Sequence, residues 1–440
     1  MSVASTKWQR LPRLLRWFYP GLRIKRWLGL LLTGLVAISF GAALAIGLGP
    51  VLDLTDVLSR AVGASRATQA AALVGVGLAV LGLTAVLLAL RQLVRSVAEP
   101  LRTRDDRELV DVLLAHRGRP QGPSIVAIGG GTGLSTLLRG LKHQTSDIVA
   151  IVAVSDDGGS SGRLQREMNT LPAGDIRNCL VALADDETLM GRLLQYRFED
   201  VPSVEGHSLG NLFIAALTEI TGDFERAVKE TSKVLAIRGR VLPATLDHVG
   251  VCARLVDGSV VRGETGVSHT DGRIQEVFLD PGSPTALPEA VGAILEADLI
   301  VIGPGSTYTS LVPNLLVRGV ADALRATSAI RVFVCNVMTQ PGETDRLTRA
   351  SDQVRALMDH AGGKVFDYVL INEAVPSSEV LKRYARVGAA IVKPDAEEVG
   401  RLGLIPICGD LISQDDYARH DPTKLAQAVL HLAPVPEAVI

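Results

Sequence analysis

The sequence predicts an α/β fold: a doubly wound, mostly parallel sheet with inserted antiparallel hairpins, preceded by a two-helix transmembrane hairpin. Three observations carry this. Two charge-free apolar runs stand near the N-terminus, short continuous apolar runs recur through the remainder with helix-like segments between them, and residues 250–280 have a turn-punctuated texture of their own. Of 440 residues, 47% are hydrophobic and 21% charged, which excludes a disordered or collagen-like polymer. A mean hydropathy of +0.28 is high for a soluble enzyme, and its excess sits at the N-terminus.

The two runs, Trp27 to Leu52 and Ala67 to Leu90, span 26 and 24 residues without a charge. A bilayer core needs roughly 20 such residues as a helix. A signal peptide has an apolar region of roughly 7–15 residues and no second span, so the runs read as a transmembrane hairpin over 27–90. Lys7, Arg10, Arg13, Arg16, Arg23, Lys25 and Arg26 precede it with no acid among residues 1–26, the 53–66 loop is neutral, and Arg91, Arg95, Arg102 and Arg104 follow. Positive charge flanks both outer ends, so both termini and the globular part are expected in the cytoplasm, in a multi-pass membrane protein.

The seven basic residues of 1–26, with an excess of two over the charged linker 91–123, leave residues 124–440 at −11 against a chain total of −2. That balance disfavours a nucleic-acid partner but not a small nucleotide in a local pocket. Cys179, Cys252, Cys335 and Cys408 are widely separated, without a CxxC, and fit reduced thiols. Oligomeric state is left open.

Within 124–440, strands are expected at Ile125–Ile128, Ile148–Val154, Leu299–Ile302, Val332–Cys335, Tyr368–Ile371 and Leu404–Ile407. Their hydrophobicity is continuous rather than alternating, as in strands buried on both faces of a parallel sheet. Asp257-Gly258 and Asp271-Gly272 divide Gly250–Val256, Ser259–Gly263 and Arg273–Leu279 into short segments, which read as antiparallel hairpins.

The first strand runs into Gly129-Gly130-Gly131-Thr132-Gly133-Leu134-Ser135 and then a helical pattern. A strand, a glycine turn and a helix N-terminus converge backbone N–H groups on an anion, so this loop is expected to cradle a phosphate. It matches neither GxGxxG nor the Walker A pattern. After the second strand come Asp156 and Asp157 in Ser155-Asp-Asp-Gly-Gly-Ser-Ser-Gly162. Carboxylates there can hold a ribose or nucleobase, contribute to Mg²⁺ beside a bound nucleotide, or simply form a solvated turn. Gly303-Pro-Gly305-Ser306 repeats the glycine logic after Leu299–Ile302, and Asn336 and Thr339 to Thr344 would share its edge.

Gly206-His207-Ser208-Leu209-Gly210 satisfies G-x-S-x-G, so a serine hydrolase acting through Ser208 is an alternative. The preceding segment, Phe198 to Glu205, carries three acids and a Pro where that elbow needs a buried strand. A second helix N-terminus capped near Ser208, with Asn211 turned to a ligand, fits better.

Taken together, these blocks, with Leu171-Pro-Ala-Gly-Asp175-Ile-Arg177, Asn336-Val-Met-Thr-Gln-Pro-Gly-Glu-Thr344 and Arg419-His-Asp421, resemble the gluconeogenesis-factor family, YvcK/CofD-like proteins related to 2-phospho-L-lactate transferase. The resemblance implies a Rossmann-like core with a nucleotide in the crevice formed by the loops. It implies a UDP-sugar (UDP-GlcNAc-like) binding regulator of cell shape and wall synthesis in gluconeogenic growth, or, on the transferase branch, an enzyme moving phospholactate from a nucleotide carrier to Fo with Mg²⁺. It places Gly129 to Gly133 on the diphosphate and Asp156 and Asp157 on the nucleotide or second substrate. Asp175, Arg177 and Arg419 become charged contacts, with an ordinary salt bridge as the alternative for each. His207, Ser208 and Asn211 would form the opposite wall, with Gly305 and Ser306 near it.

Overall fold

The computed structural model describes residues 24–46, 64–98, 122–184, 189–199, 201–344, 346–413 and 417–434, with side chains in the two N-terminal helices described for 29–44 and 73–92. The chain divides into two compact units, residues 1–118 and 119–440. The basic charges of residues 1–23, most of the 53–66 loop and residues 99–121 lie outside the described residues.

The first unit is a pair of helices, Ile24–Ile46 and Ala64–Ala98. Glycines let them approach backbone to backbone. A Cβ on Gly41 would lie 2.5 Å from the Gly75 carbonyl oxygen, and one on Gly82 would lie 2.6 Å from that of Gly34, so the helices run antiparallel along a seam of small residues. The outward faces are also apolar: Leu32, Val36, Phe40, Leu73, Val74, Leu81 and Leu87 are exposed. Among the described residues one segment, Leu73–Gln92, is long and apolar enough to cross a membrane, and the described part of the first helix, Gly29–Leu44, is shorter. The first helix is described as far as Ile46, and the last six residues of the charge-free run, 47–52, lie outside the described residues.

The second unit is built on ten strands: β1 (Ile125–Gly129), β2 (Ile148–Val152), β3 (Arg240–Pro243), β4 (Gly250–Leu255), β5 (Val260–Arg262), β6 (Ile274–Asp280), β7 (Leu299–Ile302), β8 (Ile330–Val334), β9 (Tyr368–Asn372) and β10 (Ile405–Gly409). Seven form a parallel sheet in the order β10-β9-β8-β7-β1-β2-β3. Alternate residues of each strand enter opposite cores. Ile125 and Ala127 pack with Leu137, Leu180 and Leu425 on one face. Val126 and Ile128 pack with Ile294, Leu324 and Leu357 on the other. Helices cover both faces, which is why the strands read as continuous apolar runs.

All six expected strands are present. The seventh, β3, carries Arg240 and ends on Pro243; both are tolerated because β3 is an edge strand. The inserted sheet is antiparallel in the order β5-β4-β6. The Asp257 carboxylate accepts from the Ser259 N–H (2.9 Å) and closes the β4–β5 turn. Asp271-Gly272 does not close a second tight hairpin, because the short helix Glu264–Ser268 stands between β5 and β6.

Chain order runs outward from β1 toward β3 in one direction and from β7 toward β10 in the other. The order therefore reverses between β1 and β7, where open α/β sheets leave a crevice beyond the strands' C-terminal ends.

Close packing of two flanking helices gives a test. A Cβ on Gly140 would lie 2.0 Å from the Pro422 carbonyl oxygen, whereas nothing stands within 4 Å of one on Gly292. In denaturant unfolding, Gly140→Ala is expected to lose about 1–3 kcal/mol, and Gly292→Ala, in the helix Pro288–Glu296, to gain roughly 0.5–1 kcal/mol. Equal effects of the two would contradict this packing.

Candidate functional site

A crevice of about 370 Å³ opens at the β1/β7 reversal. Gly130 to Gly133 line one side and Pro304, Gly305 and Ser306 the other, with Asn336 to Gln340, Glu264, Tyr384, Arg419 and His420 around the rim. The helix Gly131–Leu141 starts here without a cap from its own N-cap residue; the Gly131 N–H goes to the Asp175 carboxylate, and the Thr132 and Gly133 N–H groups have no partner within the helix. Gly131 has φ +64°, in the left-handed region, and a Cβ on Gly133 would lie 2.5 Å from the Pro304 carbonyl oxygen. The second glycine loop is braced from β8: Asn336 Nδ2 donates to the Gly305 carbonyl (2.7 Å) and its Oδ1 accepts from the Gly305 N–H (3.3 Å).

Behind this loop a π-helical turn, Thr307–Leu311, carries Ser310 to the crevice and begins over a buried carboxylate. Glu343 accepts from the N–H groups of Tyr308 (2.8 Å) and Thr309 (3.1 Å) and from the Ser306 hydroxyl. Burial still raises its pKa against those bonds. Asn314, one turn on, donates to the carbonyls of Gly129 (3.0 Å) and Ser310 (2.7 Å), joining the two loops from beneath.

The expected residues separate into four places. Gly130, Gly131, Thr132, Gly133, Gly305, Ser306 and Arg419 line the crevice. Gly129 lies below it as the end of β1, and Asp175 supports the loop: its carboxylate takes a hydrogen bond from the Gly131 N–H and crowds the space where a Gly130 Cβ would be. Burial, then the neighbouring Asp156 charge, push Asp175 up to about 6. Asp156 accepts from the Gly158 N–H (2.8 Å) and faces Gly174. Asp157 turns away from it. It accepts from the Thr265 N–H (3.0 Å) and lines a separate cavity of about 300 Å³ with Ser155, His248, Arg262 and Asp280.

The fourth place is a buried polar network that does not line the crevice. Arg177 donates to the Ser208 hydroxyl, to Asn211 Oδ1 (2.9 Å) and to Asn178 Oδ1 (2.9 Å), while its Nε is buried without a partner. Among the described residues it makes no ion pair; Asp175 and Asp156 act on it at longer range. His207 Nδ1 pairs with the Ser160 hydroxyl at 3.0 Å. These residues therefore back the site rather than form its opposite wall.

The hydrolase alternative fails on this geometry. Ser208 is fully buried, caps the helix Leu209–Thr221 through the Asn211 N–H (3.2 Å), and faces a guanidinium instead of a base. Gly210 is required by packing, since a Cβ there would lie 2.7 Å from Arg177 Cδ. Arg419 is not in a salt bridge among the described residues; its guanidinium lies 5.0 Å from the Tyr417 ring centroid, a cation–π contact.

Sequence reasoning missed Glu264, Tyr384 and His420 as crevice residues. Glu264 comes from the inserted sheet's short helix, and no local motif marks it. Burial and then the charges of Asp156, Asp175, Glu343 and Asp157 push it up to about 9. The four cysteines are free thiols, three buried and Cys408 exposed.

Glu264 makes stability fall as pH rises. Above its ordinary value of 4.5 the unfolded chain releases this proton, while the folded chain keeps it to about 9. Glu264→Gln is expected to be more stable than wild type at pH 8 by on the order of 1 kcal/mol or more, with the gap closing near pH 4. Urea unfolding at the two pH values checks this; a pH-independent difference would contradict the assignment.

Residues 125–412 match the family model described as 2-phospho-L-lactate transferase CofD. The gluconeogenesis factor of Bacillus subtilis (strain 168) is 49% identical over 313 residues, 71% of this chain and 98% of its own length. That of Halalkalibacterium halodurans is 47% identical over 312 residues, 71% and 97%. A relative from Nostoc sp. is 47% identical over 424 residues, 96% of this chain and 93% of its own, so the likeness extends into the N-terminal unit. A crystal structure of a Bacillus halodurans protein, 47% identical, superposes with a TM-score of 0.68 over 70% of this chain and 99% of that one. With nearly half its residues shared along almost the whole length of such proteins, the chain belongs to the CofD family, among the gluconeogenesis factors.

Proposed function

We propose that the protein is a membrane-tethered regulator that binds a UDP-sugar such as UDP-N-acetylglucosamine in the β1/β7 crevice. The observation that carries this is the pairing of the helix N-terminus at Thr132 and Gly133 with a second glycine loop at Gly305 and Ser306, across a cavity large enough for a nucleotide fragment. On this reading the diphosphate lies over the Thr132 and Gly133 amides, Arg419 adds the cationic contact, and Tyr384 offers a phenol ring. Gly130 to Gly133, Gly305, Ser306 and Arg419 touch the ligand. Asp156, Asp175, Arg177, His207, Ser208 and Asn211 hold the surrounding frame, and Asp157 lines the separate cavity beside the inserted sheet.

A second reading, a phospholactate transferase, is favoured by the family match over 125–412 and by the carboxyls of Asp175 and Glu264, which hold protons to about 6 and about 9 beside the crevice. There Mg²⁺ would neutralise part of the diphosphate's own negative charge. One experiment separates the readings. Calorimetric titration with UDP-N-acetylglucosamine is expected to give saturable heat, abolished in Gly133→Val, and mass spectrometry is expected to recover the ligand unchanged. Absence of heat at millimolar ligand, with transfer from a nucleotide-activated lactate to Fo in the presence of Mg²⁺, would replace the first reading by the second.

The helical pair is read as a multi-pass anchor with both termini in the cytoplasm. Its apolar outward faces support insertion in lipid, and the basic flanks support the orientation. Protease treatment of spheroplasts is expected to leave the globular unit intact, with cleavage only after the cells are lysed; release of that unit from intact spheroplasts would reverse the orientation.

A further inference from the structure

We propose that a second cavity, backed by Glu343 and the π-helical turn, binds a small phosphomonoester that carries hydroxyl groups, such as a sugar phosphate. The cavity holds about 260 Å³ and shares no lining residue with the crevice. That is just under the roughly 300–1,000 Å³ of pockets for drug-sized ligands, so its ligand is small.

Four segments wall it. The helix Ala350–His360 presents Asp352, Arg355, Ala356 and Asp359, whose spacing of i, i+3, i+4 and i+7 puts them on one face. Arg273 stands just before β6, Arg346 follows the turn that carries Glu343, and Tyr308 comes from the π-helical turn. Tyr308 is set from two sides. Its N–H donates to Glu343 (2.8 Å), and its ring meets the His360 ring edge-on with centroids 5.8 Å apart. His360 is itself fixed, its Nε2 accepting from the Val277 N–H (2.9 Å).

Which of these groups the chain already matches decides the ligand. Arg355 is engaged: it donates to the Ser351 hydroxyl (3.2 Å) and lies 3.6 and 3.5 Å from the carboxylates of Asp352 and Glu398. Asp352 also accepts from the Arg349 N–H (3.1 Å). Glu343 accepts from Ser306, Tyr308 and Thr309. Four side-chain groups are left without a hydrogen bond or ion pair among the described residues: the exposed guanidiniums of Arg273 and Arg346, the Tyr308 hydroxyl and the Asp359 carboxylate. The hydroxyl is not among the sealed polar atoms, so it is open to the cavity. Burial pushes Tyr308 up to about 12, so the phenol keeps its proton and donates.

Two guanidiniums and a phenol offer only donors, and a phosphate dianion offers only acceptors at neutral pH. Asp359 accepts only, so it suits a ligand hydroxyl and opposes a second anionic group, which disfavours a diphosphate or a dicarboxylate. Glu343 faces this cavity while it holds the Ser306 hydroxyl of the crevice, so the two sites lie against one carboxyl.

Calorimetric titration of the full chain in detergent micelles with glucose 6-phosphate, ribose 5-phosphate and inorganic phosphate tests the site. A sugar phosphate is expected to saturate it and to bind about tenfold or more tighter than inorganic phosphate. Arg273→Gln and Arg346→Gln, at exposed positions and with unfolding midpoints near wild type, are each expected to weaken that binding about tenfold or more. Tyr308→Phe, which keeps the ring on His360, is expected to weaken it about threefold. Arg419→Gln in the crevice is expected to change it by less than about twofold. No saturable binding of either sugar phosphate at millimolar concentration, inorganic phosphate binding as tightly as the sugar phosphates, or a loss in Arg419→Gln equal to that in Arg273→Gln would each overturn the proposal. None of these outcomes depends on whether the crevice takes a nucleotide sugar.

Discussion

A methyl group on Gly133 would lie 2.5 Å from the Pro304 carbonyl oxygen, and that close approach is the constraint on which the rest of the site depends. Two parallel neighbours, β1 and β7, end side by side, and their following segments diverge. The backbone of the first helix must then pass against the loop after β7 with no side chain between. Because the two approach so closely, the helix N–H groups and the second loop address one cavity instead of two. Asn314 and Asn336 hold the arrangement through backbone carbonyls and amides, so packing and hydrogen bonds within the chain set its shape.

Beneath that contact lies an electrostatic frame of unusual density for a buried region. Asp175 under the Gly131 amide, Asp156 beside it, Glu264 at the rim and Glu343 under the π-helical turn are drawn together by the loops they support. Arg177 supplies a buried positive charge with neutral hydrogen-bonding partners and carboxylates at longer range. Crowded, buried carboxyls hold protons beyond their usual range, which lowers the negative charge around the cavity. The same crowding divides the adjacent aspartates: Asp156 joins the frame, and Asp157 turns to the inserted sheet and its own cavity.

The N-terminal unit is apolar on its outward faces as well as along its seam. Its glycine seam is satisfied within the pair, while Leu32, Phe40, Leu73, Leu81 and Leu87 face outward. In water such a pair would expose a continuous apolar surface; in hydrocarbon that surface is the favourable one. The globular unit has two well-filled cores of its own on either side of the parallel sheet.

The sequence by itself determined the elements whose signals are local. Ile125–Ile128 and Leu299–Ile302 had to be strands buried on both faces, because continuous β-branched runs satisfy two cores at once. Gly129 to Gly133 had to be a close-approach loop, since no other residue type leaves the backbone bare. The family likeness was equally legible, because seven ordered blocks of such loops are far more specific than any one of them. β3 was not legible: an edge strand tolerates Arg240 and Pro243, and so loses the apolar signature. Nor was the partition of the site. Ser208 and Gly210 satisfy a hydrolase pattern in one dimension, and only packing against Arg177 shows why the glycine and the serine are there. Glu264 and His420 reach the crevice from segments more than a hundred residues from the glycine loop. Short-range pattern records backbone conformation and burial; which side chains share a cavity depends on how the strands are ordered in the sheet, and that order is a property of the folded chain alone.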